Sequence, residues 1–368
     1  MNVRERFHAT CSFEKPDRPI RRETIGFFPE TLARWHKEGL PETVVDDVFT
    51  GPPYFGFDSM SWLPISPNAA YDPGFFPAFE ERILQEEGNH IIKIDTAGKT
   101  VKVLADGRST LPQDLDHPVK NLKDFEEIKW RLNPETSGRF TDLLDIMVGM
   151  ATAQGNDTYT SIVLCGLFGT YRHLLGLVGM SVALRKDQEL IRTIARQWLH
   201  MHEVLIKKIR EKCPVDYIYF WEDMSYKNGP MISPKVFGEF MTPYYKRLIG
   251  SVMADTDIRV FAVDSDGNLD ILLGLFTEVG INMFLPFEVQ AGMDIRKVRE
   301  EYPELIIWGG LDKRTLAKDI SDIRAMVNGI VPAMLNSGGF IPAIDHVVPP
   351  DVPLKNWLDF LDMVRTSK

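Results

Sequence analysis

Short apolar runs of strand character alternate with helical segments from about residue 140 to the end of the chain, and this rhythm strongly constrains the fold. Five of these runs end near residues 221, 263, 287, 308 and 344, with helical segments between them. Repeated strand–helix units indicate a parallel sheet. Because no glycine-rich dinucleotide fingerprint follows any of these runs, a doubly wound sheet is disfavoured. The sequence therefore predicts an α/β fold, a (β/α)8 barrel of the TIM type.

The first 150 residues lack this rhythm. We expect them to hold an N-terminal extension, aromatic loops and a small hairpin insertion within one barrel domain that spans residues 1–368. Aromatic residues, prolines and glycines crowd residues 54–79, which is typical of functional loops or, equally, of a packed cap or subunit contact. Residues 90–104 alternate as a hairpin does. At least two barrel strands must also lie in this region.

Composition excludes several classes of function. The formal net charge of −10 leaves no basic footprint for nucleic acid or for an anionic membrane. The charged N-terminus lacks the apolar core of a signal peptide, and no uncharged apolar run approaches the about 20 residues of a membrane span. We therefore expect a cytoplasmic protein. Cys11, Cys165 and Cys213 lie far apart, which indicates neither a disulfide framework nor a thiolate zinc site.

Acidic side chains and one histidine follow the predicted strands at their carboxyl ends. Asp264 and Asp266 follow one strand, while Glu222 and Glu288 follow two others. His346 comes directly after the last strand. Because parallel strands point the same way, we expect these groups at one rim, where a barrel places its catalytic residues. Structural alternatives stay open: Asp264 suits a buried hydrogen-bond acceptor, Asp266 a turn and helix cap, and Glu288 a helix start. A lone histidine is also usually not a ligand.

We hypothesise a metal site formed by Glu222, Asp264, Asp266 and His346. Carboxylates with one imidazole are a plausible ligand set for Zn²⁺. The candidate catalytic acids are Asp264, Glu222 and Glu288. Two other charged residues that follow predicted strands are interpreted as structural. Asp223 is expected in a surface turn and Lys313 as a salt-bridged residue at a helix start.

Several segments resemble the uroporphyrinogen decarboxylase superfamily, whose members are (β/α)8 barrels. Residues 237–246 are similar to its F-x-x-F-x-x-P-Y segment and residues 309–312 to its G-N-x-D turn. True decarboxylases of the superfamily hold the carboxylates of their substrate with an arginine-rich signature near the N-terminus. Arg21 and Arg22 stand in that region without the signature. Metal-free decarboxylation of a tetrapyrrole is therefore the alternative reading of the resemblance.

The second branch of the superfamily consists of corrinoid-dependent methyltransferases. Thiol-methylating members bind zinc with H-x-C-G and a later cysteine; here residues 264–267 read DSDG, and Asp345 and His346 stand near the later position. The resemblance thus implies an enzyme like the O-demethylase methyltransferases of anaerobes, which move a methyl group from a methoxylated compound to cob(I)alamin.

The donor implied for this chain is small, methoxylated and expected to be aromatic. The chain carries no D-x-H-x-x-G corrinoid motif, so the cobalamin would arrive on a separate corrinoid protein. A homodimer is an open alternative for its assembly. A third reading is a binding protein that kept the barrel and lost its chemistry, and its best support is the replacement of H-x-C-G.

Overall fold

The computed structural model describes residues 1–24, 26–46, 51–64, 72–105, 112–139 and 142–367. Part of the region in which aromatic loops are expected, residues 65–71, lies outside the described residues.

Seven parallel strands form the central sheet and carry the site. They are β1 (Ser59–Pro64), β6 (Thr158–Cys165), β7 (Tyr217–Trp221), β10 (Val260–Asp264), β11 (Met283–Leu285), β12 (Ile306–Trp308) and β13 (Phe340–Ile341). Their spatial order, β1-β6-β7-β10-β11-β12-β13, follows the chain, and each neighbouring pair is parallel. This is the order that successive strand–helix units produce. The curled sheet is compatible with a TIM-type barrel.

An extended segment near the N-terminus adjoins both edges of this sheet. The carbonyl of Arg21 accepts a hydrogen bond of 2.8 Å from the amide of Asp58, directly before β1. Phe27 forms a parallel bridge with Val348, beyond β13. The N-terminal region therefore contributes strand β1 and this extended segment to the neighbourhood of the barrel.

Thirteen α-helices are formed by the described residues, and several of them pack against the outer face of the sheet. They are α1 (Val3–Cys11), α2 (Pro29–Lys37), α3 (Gly51–Tyr54), α4 (Leu122–Ile128), α5 (Asp142–Gln154), α6 (Leu167–Lys186), α7 (Gln188–Arg210), α8 (Pro234–Phe240), α9 (Thr242–Asp255), α10 (Asp270–Glu278), α11 (Ile295–Glu301), α12 (Ile320–Ser337) and α13 (Leu354–Thr366). In the described part of the chain, α6 alone is long and apolar enough to cross a membrane, and most of it is buried inside the fold. Burial of that kind is typical of a core helix.

A second sheet is antiparallel and lies in the first half of the chain. Its strands, in spatial order, are β2 (Arg82–Glu87), β3 (His90–Ile94), β4 (Thr100–Leu104) and β5 (Gln113–Asp116). The two middle strands occupy the residues for which the sequence predicts a hairpin, and one further strand is added at each side. A short ribbon, β8 (Ser225–Tyr226) and β9 (Gly229–Pro230), follows β7.

Alternation along strand β7 divides the core in two. Tyr217 and Tyr219 pack in the interior that the parallel sheet encloses. Ile218 and Phe220 pack in the larger core between the sheet and the helices. Side chains two residues apart share a face of a strand, and β10 repeats the same division. The same alternation decides which way a side chain at a strand end points.

Helix α1 closes the amino end of this interior. Phe7 is fully buried, and its ring stacks on Tyr159 with centroids 4.4 Å apart and lies 5.3 Å from the ring of Tyr217. His8 anchors the helix through a contact of 2.7 Å from its Nε2 to Oδ1 of Asp216. Burial of a phenylalanine stabilises the fold by about 2 kcal/mol. The carboxyl end of the sheet is thereby left as the place for a site.

Candidate metal centre at the carboxyl end of the sheet

Three of the predicted site residues converge beyond the carboxyl ends of β10, β11 and β13. One ligand atom each of Asp266, Glu288 and His346 lies within 4.8 Å of the other two. Nε2 of His346 lies 3.3 Å from Oδ2 of Asp266. Zinc bonds to nitrogen and oxygen of about 2.0–2.2 Å hold two ligand atoms about 3.3–3.6 Å apart in a tetrahedral site. The Asp266–His346 spacing already fits, and side-chain shifts that close the remaining separations by about 1 Å would bring this group, the metal triad, to bonding distance.

Asp345 ties the elements of the metal triad together. Its side chain is fully buried; Oδ2 accepts the amide of Val289 and Oδ1 accepts the amide of Lys313, both at 2.9 Å. Burial raises the pKa of Asp345, although the charge of Lys313 and the two amide hydrogen bonds oppose the rise. Asp345, which directly precedes His346, thus holds the main chain of Val289, which directly follows Glu288.

Glu288 has a hydrogen-bond donor at each oxygen. Oε2 accepts the amide of Gly267 at 3.0 Å, and Nζ of Lys313 lies 3.3 Å from Oε1. Gly267 has φ of 84°, and a Cβ there would come within 2.6 Å of the carbonyl oxygen of Ser225, so that only glycine fits the turn. Lys313 is salt-bridged at the start of a short 3₁₀ helix, as the sequence predicts, but its partner is an acid of the site.

The imidazole of His346 is held by the acid beside it. Burial lowers the pKa of His346, but the hydrogen bond and the negative charge of Asp266 outweigh burial and raise the pKa above its usual value. The positive charge of Lys313 opposes that rise. An acid–imidazole pair of this kind holds the ring in a fixed orientation.

Asp264 lies deeper in the barrel mouth, as the last residue of β10. It is buried, and the hydroxyl of Tyr219 donates a hydrogen bond to Oδ2. Burial raises the pKa of Asp264 to about 7, and the negative charges of Asp266 and Asp223 add to the rise. The ring of Trp62 lies 5.6 Å from that of Tyr219. An acid of this pKa with an aromatic wall beside it can give or take a proton near neutral pH.

Glu222 is placed elsewhere, on the helix-facing side of the sheet. Its fully buried carboxyl accepts the amide of Leu167 at 3.0 Å, the amide of Gly169 at 2.9 Å and the hydroxyl of Tyr245. Burial raises the pKa of Glu222 to about 7, against the lowering effect of these hydrogen bonds. This differs from the expectation that it faces the barrel mouth. The physical reason is alternation: Glu222 lies two residues after Phe220, which also faces the helices.

The next residue, Asp223, takes the position expected of Glu222. Nη1 of Arg172 donates to its carbonyl at 2.8 Å and to Oδ2 at 2.9 Å, and the guanidinium lies 4.7 Å from the ring centroid of Trp221. Burial raises the pKa of Asp223, Arg172 opposes the rise, and the negative charges of Asp266 and Glu288 add to it. Its φ of 42° is rare for a residue with a Cβ and is typical of functional sites.

The comparisons with known proteins agree with this architecture. Residues 114–367 match the family model of uroporphyrinogen decarboxylase (URO-D), so the chain belongs to that family and the resemblance in the sequence is confirmed. Among 27 matching chains of solved structures is a methyltransferase from Methanosarcina mazei. It has a TM-score of 0.66 and 14% identity, over 99% of this chain and 98% of that one, which shows a shared fold. No curated protein matches the chain.

Proposed function

We propose that this URO-D family member is a corrinoid-dependent methyltransferase that demethylates a small methoxylated aromatic compound and passes the methyl group to cob(I)alamin on a separate protein. The observation that carries the proposal is the metal triad, Asp266, Glu288 and His346, at the carboxyl end of the sheet. Asp266 and His346 stand near the positions of the zinc-binding cysteines in thiol-methylating relatives. The replacement of thiolate by oxygen and imidazole ligands fits a substrate whose leaving atom is oxygen.

The donor set fits a zinc ion. Two carboxylates and one imidazole, with ligand atoms within 4.8 Å of each other, match zinc in kind and nearly in spacing. Glu288 takes the place in the set that the sequence predicts for Glu222, and Asp264 lies beside the set. When bound, the metal would act as a Lewis acid toward the ether oxygen of the methyl donor.

Residues of this chain would supply the remaining chemistry. As the methyl group leaves, the carbon–oxygen bond breaks and its electron pair stays on oxygen, which then needs a proton. The carboxyl of Asp264, held by Tyr219, is the acid at the mouth that is placed to give it. Trp221, which pairs with Asp264 across the sheet, and Trp62, whose ring lies 5.6 Å from that of Tyr219, are both half-buried. They would stack on an aromatic donor and exclude water from it.

A direct experiment combines metal analysis with a screen of donors. Purified protein is analysed for zinc and then incubated with methoxylated aromatic compounds, a corrinoid protein and a reductant, while methylcobalamin is followed by absorbance. We expect bound zinc and methyl transfer, and we expect His346→Ala to lose both. His200→Ala, an exposed histidine on α7, is the matched control. A His346→Ala protein that keeps both zinc and activity would refute the metal role.

One observation favours decarboxylation of an anionic substrate as a second candidate. Arg22 lies two residues after Ile20, which packs in the barrel interior, and the charge of Arg22 acts on Tyr159 and Tyr217. Among the described residues no carboxylate pairs with its guanidinium, which is thus able to hold a substrate carboxylate. Tight binding of a porphyrinogen that Arg22→Ala weakens, in a protein without zinc, would favour this candidate.

A further inference from the structure

The polar groups of the metal triad and the lysine beside it form two pairs. Asp266 pairs with His346, while Glu288 pairs with Lys313 through a contact of 3.3 Å between Oε1 and Nζ. The side chain of Lys313 is only 13% exposed, so water screens this second pair weakly. Oε2 of Glu288 is already committed to the amide of Gly267. Oε1 is therefore the oxygen best placed for a metal, and a lysine already holds it.

We propose that Lys313 is the resident counter-ion of Glu288, that a divalent metal displaces it from Oε1, and that Lys313 thereby sets the metal affinity of the centre. The proposal rests on the metal centre proposed above. Two carboxylates and a neutral imidazole carry a charge of −2, which one divalent ion balances; an ammonium left among them would make the centre positive. A cation close to a metal ligand weakens metal binding by repulsion and by competition for the same lone pair.

The exchange requires no movement of the backbone. Asp345 holds the amide of Lys313 at 2.9 Å and also the amide of Val289, the residue after Glu288. Both main-chain positions are therefore fixed, while the flexible four-carbon stem of Lys313 is able to swing the ammonium away. Methionine in place of Lys313 would keep an unbranched apolar stem of similar length and would remove only the competing charge.

The test measures zinc affinity without any donor or corrinoid. Apo-protein is titrated with Zn²⁺ at one pH against a chromophoric chelator, for the wild type, Lys313→Met and a control, Lys246→Met. Lys246 forms an exposed pair with Glu278 at 2.8 Å, which joins helices α9 and α10. We expect Lys313→Met to bind Zn²⁺ at least about tenfold more tightly, a modest effect for one nearby like charge, and Lys246→Met to bind as the wild type does.

A double-mutant cycle shows whether the gain passes through Glu288. In a Glu288→Gln background the Lys313→Met change should give no tightening, because the shared oxygen has lost its charge. Unchanged or weaker Zn²⁺ binding by Lys313→Met would overturn the proposal while the metal centre stands. If Lys313→Met alone binds Zn²⁺, Lys313 is confirmed as the competitor and the wild-type centre is not a resident zinc site. If neither protein binds Zn²⁺, both proposals fail; thermal melting without metal verifies that each variant is folded.

Discussion

Glu222 and Asp264 are neighbours at the ends of adjoining strands, yet they serve different parts of the molecule. The amide of Glu222 donates to the carbonyl of Asp264 at 2.9 Å, and burial raises the pKa of each carboxyl to about 7. Glu222 points to the helices and accepts main-chain amides at the start of α6. Asp264 points into the barrel mouth and keeps one hydroxyl partner, Tyr219. A raised pKa thus shows only that a carboxyl is buried. The face of the strand determines whether that carboxyl packs against the helices or faces the barrel mouth.

Of these two acids, Asp264 should give the larger loss of activity when it is replaced. Asp264→Asn removes the proposed proton donor at the mouth, and we expect the single-turnover rate of methyl transfer to fall by at least about 100-fold, as for other general acids. The free energy of unfolding should change little, because asparagine still accepts the hydrogen bond from Tyr219. Rapid mixing with a methoxylated donor and cob(I)alamin gives the rate, and chemical denaturation gives the stability. A variant with normal rates would mean that Asp264 is as structural as Glu222.

Replacing Glu222 should produce the opposite result. Glu222→Ala leaves two buried amides, of Leu167 and Gly169, and the hydroxyl of Tyr245 without their acceptor. Each orphaned buried group costs about 1–3 kcal/mol, so the free energy of unfolding should fall by about 3 kcal/mol or more. Zinc content and the methyl-transfer rate of the folded fraction should remain close to those of the wild type. Urea denaturation with parallel metal analysis separates the two effects, and loss of zinc without loss of stability would contradict this assignment.

The convergence of the site could be predicted from the sequence, but the orientation of each acid required more. Because parallel strands point the same way, the sequence places Asp266, Glu288 and His346 at one rim of the barrel. The alternation of side chains along β7 also predicts the orientation of Glu222. Starting from Ile218, every second residue faces the helices, and Glu222 is one of them. The approach of Lys313 to Glu288 follows from the packing of β11 against β12 and from the buried carboxyl of Asp345. No local pattern contains that information.

Strand β1 shows a similar limit in the fold. Its residues, Ser59–Pro64, stand among prolines and glycines that favour irregular loops. Its place in the sheet comes from pairing with β6, residue by residue from Ser59 and Thr158 onward. The pairing partner lies far along the chain, so tertiary contacts override local propensity there.

Asp345 resembles both Glu222 and Asp264: it is buried and accepts main-chain amides as Glu222 does, but it lies beside the metal triad. Asp345→Asn offers one carbonyl oxygen to two amides, those of Val289 and Lys313. We expect zinc affinity to fall by about 10–100-fold, as it does when residues behind metal ligands are replaced. Competition titration with a chelator measures this change. Zinc affinity equal to that of the wild type would mean that Asp345 does not position the metal triad.

The last effect concerns pH and isolates the titration of Glu222. Its folded pKa of about 7 lies above the ordinary value of 4.5, so the native state binds the extra proton. This contribution to stability is fully present below pH 4.5 and is lost as pH rises through about 7, with a slope of at most about 1.4 kcal/mol per pH unit. Glu222→Gln cannot titrate and should flatten the dependence of the unfolding free energy on pH over that interval. Glu23, whose buried carboxyl has its pKa raised to about 8, continues to titrate in both proteins and serves as the internal reference. Parallel stability curves for the wild type and Glu222→Gln would show that the carboxyl at the start of α6 is already ionised throughout, and that its hydrogen bonds, not its burial, set its pKa.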